Sequence, residues 1–137
     1  MRTSRIQTGL LPSLLSLLIP IAAHAQTIAI GKYQTAETFD KAFVAALRTT
    51  PLVKFTVKSS DKEQGTIQAV QSTGGQEFAS LFLMITREGS NVIVEGTFTR
   101  NPGFIGGGKP EAWAQKFGDE LKSRLPDLTI NVTKRKK

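Results

Sequence analysis

Two runs of strand-forming residues, separated by three polar ones, constrain this chain more than any other feature. Residues 77–87 (EFASLFLMITR) and 91–100 (NVIVEGTFTR) are rich in β-branched and aromatic side chains. Glu88-Gly89-Ser90 between them is a polar link of the kind that closes a hairpin. The spacing predicts an antiparallel pair at the centre of a sheet, with flanking strands at its edge and helices on one face. Val92, Val94, Gly96 and Phe98 fall on one side of the second run. Residues 81–85 are apolar on both sides, so this run is either covered on its second side or left as an exposed edge that recruits other chains.

Helical periodicity brackets the hairpin. Phe39, Ala42, Phe43, Ala46 and Leu47 recur at i, i+3, i+4, i+7 and i+8, which predicts a helix over 36–48, capped by Thr35 and stopped by Pro51. Trp113, Phe117 and Leu121 stand one turn apart in a second helix over 110–125. Pro110 suits its first position, where a missing N–H costs nothing, and Pro126 ends it. Between the first helix and the hairpin the period is two. Val53, Phe55 and Val57 alternate with Lys54, Thr56 and Lys58, and residues 66–71 resume as a strand with Ile67 and Ala69 inward. Residues 26–34 contain only the pair Ile28 and Ile30, an edge strand or an ordered lead-in. Leu128, Ile130 and Val132 are available for a closing strand.

This order predicts an α+β domain of two layers: an antiparallel meander of four strands (α-β4-α), both helices on one face, and room for an extra C-terminal strand. Each large side chain buried beneath the helices contributes roughly 1.5–3 kcal/mol, and Trp113 is expected among them. Tyr33 and Phe104 are the aromatics left over for the surface.

The first 25 residues read as an export signal. Arg2 and Arg5 precede an apolar stretch from Leu10 to Ile21, and Ala23-His24-Ala25 presents small residues for cleavage before Gln26. The stretch is interrupted by Pro12 and Pro20 and falls short of the about 20 residues a membrane anchor needs. The expected organisation is a signal peptide over 1–25, one domain over 26–133 and a basic tail over 134–137. The chain carries 18 basic and 11 acidic residues, a formal +7; Arg2 and Arg5 leave with the signal, giving +5. No cysteine is present, so neither disulfides nor a lipid-modified cysteine can stabilise or tether the domain. A cysteine-free exported domain points to a periplasmic or secreted bacterial protein.

Catalytic chemistry finds little support. His24 is the only histidine and precedes the cut, so the mature chain lacks the usual general base, the thiol nucleophile and the common zinc ligands. Asp61 with Glu63 and Asp119 with Glu120 read as solvated charges rather than a glycosidase pair. Gly103 to Lys109 matches phosphate-loop spacing, but Pro110 follows the lysine where a Ser or Thr should hold magnesium. The segment therefore reads as a link into a helix, leaving Lys109 with a weak capacity for anions. Lys54 and Lys58, on one strand face, are the other candidate anion-binding residues; ordinary solubilising charge is the plainer reading. No catalytic residue, metal ligand or cofactor is expected.

Ala45-Ala46-Leu47, followed by the passage from Phe55 to Ala69 (FTVKSSDKEQGTIQA), resembles small exported domains of the bacterial envelope. Helix-grip domains of outer-membrane assembly lipoproteins share the layout of a helix end, a strand, a Ser/Asp-rich turn and a glycine opening the next strand. The resemblance implies the fold and an envelope setting; the missing cysteine departs from it. The expected function is a non-enzymatic interaction domain whose partner is a protein or envelope component. The alternative is a small basic domain for an anionic ligand, either lipopolysaccharide or nucleic acid.

Overall fold

Alternating burial along the strands explains the architecture. In the computed structural model, which describes residues 27–102 and 108–135, Leu81, Leu83 and Ile85 are buried in one strand, and Val92, Val94 and Phe98 in the next. The elements in chain order are β1 (Thr27–Thr35), α1 (Phe39–Leu52), β2 (Thr56–Asp61), β3 (Thr66–Thr73), β4 (Gln76–Glu88), β5 (Asn91–Arg100), α2 (Pro110–Lys122) and β6 (Thr129–Arg135). The domain is α+β, with one six-stranded sheet in the order β2-β3-β4-β5-β1-β6. Every pairing is antiparallel. The expected meander is β2 to β5. The expected strand count is too low, because β1 and β6 extend the sheet beyond it.

β1 is no edge strand. It lies between β5 and β6 and pairs with both along its length. Its inward residues are Ala29, Gly31, Tyr33 and Thr35, all buried, whereas Ile28 and Ile30 lie on the other side and are only half-buried. The pair that signals a strand is therefore the outward one, and the core side is marked by small residues that carry little hydrophobic signal. Tyr33, expected at the surface, is fully buried. Its hydroxyl donates to the Ala114 carbonyl of α2 at 2.6 Å, and its ring meets Phe117 at 5.3 Å between centroids. Gly118 makes this approach possible, since a Cβ there would lie 2.9 Å from the Tyr33 ring.

α1 begins and ends later than its periodicity suggests. Thr38, not Thr35, is the cap, accepting from the Lys41 N–H at 3.2 Å. Thr35 is otherwise occupied, donating to Asp127 Oδ1 at 2.6 Å while Asp127 Oδ2 accepts from the Ala36 N–H at 2.7 Å. Pro51 lies inside the last turn instead of stopping the helix. There the Thr49 and Thr50 hydroxyls donate to the carbonyls of Ala45 and Ala46. The helix closes when Lys54 N–H donates to Pro51 O and Phe55 N–H to Thr50 O, the reciprocal pair of a Schellman cap. Lys54 occupies its left-handed position at φ 73°.

α2 stops at Lys122, short of the expected 125. Leu125 and Leu128 are nonetheless buried, closing the core below the helix. Phe55 joins the side of the core under α1 to the side under α2: its ring meets Phe98 at 6.2 Å and half-buried Trp113 at 5.7 Å. α1 packs on β2, β4 and β5, α2 on β1, β5 and β6, and the helices touch each other. Among the described residues, no helix is long and apolar enough to cross a membrane. The expected signal peptide, Phe104 and most of the glycine link lie outside the described residues.

Candidate functional site

The three candidate anion-binding lysines do not form the arrangement their spacing suggests. Lys54 and Lys58 share no strand face. α1 runs on to Leu52, so Lys54 turns the chain and β2 starts only at Thr56. Lys58 sits in a bulge between Val57 and Ser59, without a partner in the β2–β3 register. Lys109 directly precedes α2, and its carbonyl accepts the Trp113 N–H at 3.1 Å.

The fold still gathers basic residues at one end of the sheet. β2 starts there, β5 and β6 finish there, and α2 begins there. Lys54 adjoins Phe55, whose ring packs on Trp113, one turn beyond Lys109. Lys134 and Arg135 are strand residues, not tail: they pair with Ala29 and Ile28 of β1. Lys134 Nζ lies 3.4 Å from Glu111 Oε2. The Glu111 carboxyl is held below its ordinary value, first by a backbone hydrogen bond at its own N–H and then by Lys134 and Lys109.

The opposite end is rich in carboxylates. Glu37 and Asp40 stand at the start of α1, Asp61 and Glu63 at the β2–β3 turn, Glu88 at the tip of the β4–β5 hairpin, and Asp127 before β6. Lys41 and Lys62 pair with two of them, Lys41 with Glu37 and Lys62 with Asp40, each at 3.4 Å. The Arg87 guanidinium stacks 4.5 Å above the Phe39 ring. Asp127 is held below the usual carboxylate range by the Thr35 hydroxyl and the Ala36 N–H.

Asp61 and Asp119 are exposed, and each holds its own local hydrogen bond. Asp61 accepts the Gln64 N–H across its turn at 3.1 Å, and Asp119 accepts from the Gln115 side chain at 3.1 Å. Among the described residues, no group of three or more His, Cys, Asp or Glu side chains could hold a metal ion.

Sequence reasoning passed over the side of the sheet that faces away from the buried strand residues. The register sets Ile30, Thr97 and Phe82 side by side, with Lys32, Glu95 and Met84 in the next row. Ile28, Val70 and Ile93 lie on the same side and are half-buried, and Met84 is 41 % exposed. Where β1, β5 and β6 meet, Ile30, Lys32, Glu95, Asn131, Thr133 and Arg135 line a shallow depression of about 430 Å³. A second open groove, about 440 Å³, lies over Val44, Ala45 and Leu125 with Lys41, Arg48 and Arg124 at its rim. The double-sided apolarity of residues 81–85 is the sequence signal for the outer face, and Ile28 and Ile30 are a second trace of it. Comparison with protein-family models finds no match for the chain, and neither does comparison with curated proteins.

Proposed function

We propose that this domain is an exported, non-catalytic binding module that recognises a protein of the cell envelope through the outer face of its sheet. In this reading both helices cover the inner face, and the outer face is left for a partner. Its main support is the composition of that face. Phe82 and Met84 stand near its middle, Ile28, Ile30, Val70 and Ile93 surround them, and Thr, Ser, Asn and Gln residues fill the remaining positions together with the charged Lys32, Glu95 and Arg135. Aromatic and methionine side chains at the centre with polar groups around them are what protein interfaces favour. The strands that display these residues are held by the core on their other side, so the face is presented without an ordering cost at binding.

Export is supported by the basic start, apolar stretch and Ala23-His24-Ala25 of the leader. A cut before Gln26 leaves β1 whole, since the strand begins at Thr27. A non-catalytic role is supported by the residue types past the cut, where neither histidine nor cysteine occurs.

The test is photo-crosslinking in whole cells from an unnatural residue placed at Phe82 on the outer face or at Val44 on α1. A discrete adduct from position 82, absent from position 44, is expected. Adducts from position 44 alone would overturn the assignment of the face. Mass measurement of the recovered protein tests export: a chain starting at Gln26 is expected, and a chain retaining Arg2 and Arg5 would refute it.

A further inference from the structure

We propose that the basic end of the sheet docks flat on an anionic lipid surface, with phosphate-bearing headgroups as the chemistry it recognises. This surface is the end of the sheet and shares only Arg135 with the outer-face depression, and the proposal stands or fails without the reading above.

The first observation is how the charge is spread. Lys54 precedes β2 at one edge of the sheet, Lys109 opens α2, and Lys134 and Arg135 close β6 at the other edge. Thr56, Val70, Ser80, Thr99, Ile28 and Arg135 form one row across all six strands. Five strand spacings of about 4.8 Å put roughly 24 Å between its ends. Lys54 lies beside one end of that row and Arg135 at the other, with Lys109 and Lys134 both near Glu111, a spread that matches a plane of headgroups better than a single small anion. Of the two carboxylates at this end, Glu77 and Glu111, the second is already engaged by Lys134. At the opposite end Lys41 and Lys62 offset two of the carboxylates and Arg87 adds a third positive charge, so an anionic surface is drawn to the basic end in preference to that one, which biases the orientation of docking.

The second observation concerns Lys54 itself. Among the described residues it is the one non-glycine with positive φ, and it stands at the cap position that glycine fills most easily. A side chain kept at a strained position points to a use for that side chain. Two residues earlier, Leu52 is 44 % exposed in the last turn of α1. A basic group beside an exposed apolar one is the pairing by which peripheral domains hold a membrane: charge draws the domain in, and the apolar side chain enters the interface.

The experiment is sedimentation with vesicles, using the protein as recovered from expressing cells. Vesicles of phosphatidylcholine with roughly 30 % phosphatidylglycerol are compared with phosphatidylcholine alone, a Lys near an anionic surface contributing about fivefold to partitioning. Binding is expected to the anionic vesicles only and to decline steeply with salt. Lys54→Gly is expected to melt at a higher temperature than the parent, because the cap strain is relieved, yet to bind about fivefold more weakly. Lys54→Arg is expected to retain binding, and Leu52→Asn to weaken it. Unchanged binding by Lys54→Gly, or equal binding to neutral vesicles, would overturn the proposal. So would full displacement by millimolar inorganic phosphate, which indicates a small-anion site, or a preference for a DNA oligonucleotide over the vesicles.

Discussion

The Tyr33 side chain folds back over Gly31, two residues earlier on the same strand. A Cβ at position 31 would lie 2.0 Å from the Tyr33 hydroxyl and 2.5 Å from the ring carbon that bears it. The tyrosine cannot move aside, because its hydroxyl is bonded to Ala114 O and its ring lies against Phe117 and Gly118. Gly31→Ala should therefore destabilise the fold by about 1–3 kcal/mol through overpacking. Gly118→Ala tests the same contact from the helix side. Alanine ordinarily gains about 1 kcal/mol over glycine inside a helix, so net destabilisation there shows that the contact outweighs helix propensity. Urea unfolding of both variants measures the effect.

Burial pushes the Tyr33 hydroxyl well above its ordinary value of 10.0, with the nearby Asp119 charge adding to the shift. The folded state thus favours the neutral phenol. Its contribution to stability is fully present below pH 10 and is lost as pH rises beyond it. Tyr33 is the only tyrosine in the chain. In an alkaline titration, near-ultraviolet tyrosinate absorbance should appear together with the loss of far-ultraviolet circular dichroism, not ahead of it.

Asp127 ties the β1–α1 junction to the segment before β6 through residues 91 and 92 positions away in sequence. Its carboxyl is held below 3.8 by those two donors, so the folded state favours the ionised form. The resulting stability is fully present above the unfolded value near 3.8 and is lost as pH falls through the lower folded value. Asp127→Asn should be less stable than the parent at neutral pH. The gap should close as the titration passes below that window, as followed by thermal melts across the acid range.

The fold was legible in the sequence where apolar side chains carry the period. The β4–β5 hairpin, the inward Ile67 and Ala69 of β3, and the stripe of Phe117 and Leu121 on α2 lie where periodicity puts them. It was not legible where small residues carry it. Ala29 and Gly31 line the core side of β1, so Ile28 and Ile30 signalled the wrong face, and Tyr33 lost its place in the core. Helix ends were misread for a related reason. Thr35 looks like a cap until Asp127, far along the chain, takes its hydroxyl, and Pro51 looks like a stop although the last turn accommodates it. The candidate site suffered most. Lys54 reads as a strand residue in an alternating run, whereas a helix cap places it, and Lys134 and Arg135 read as a tail although they pair with β1.

The proposed seating of a partner on the outer face of the sheet is decided by capture from envelope extract with the double variant Phe82→Asp, Met84→Asp. Both side chains lie on that face and neither is fully buried, but Met84→Asp sets a carboxylate opposite Glu95, so the variant should fold and unfold at a lower temperature than the parent. The double variant is expected no longer to retain a protein captured by the parent, while Val44→Asp on α1 still does. Retention by the double variant equal to the parent's, with both proteins folded at the temperature of capture, would contradict that seating.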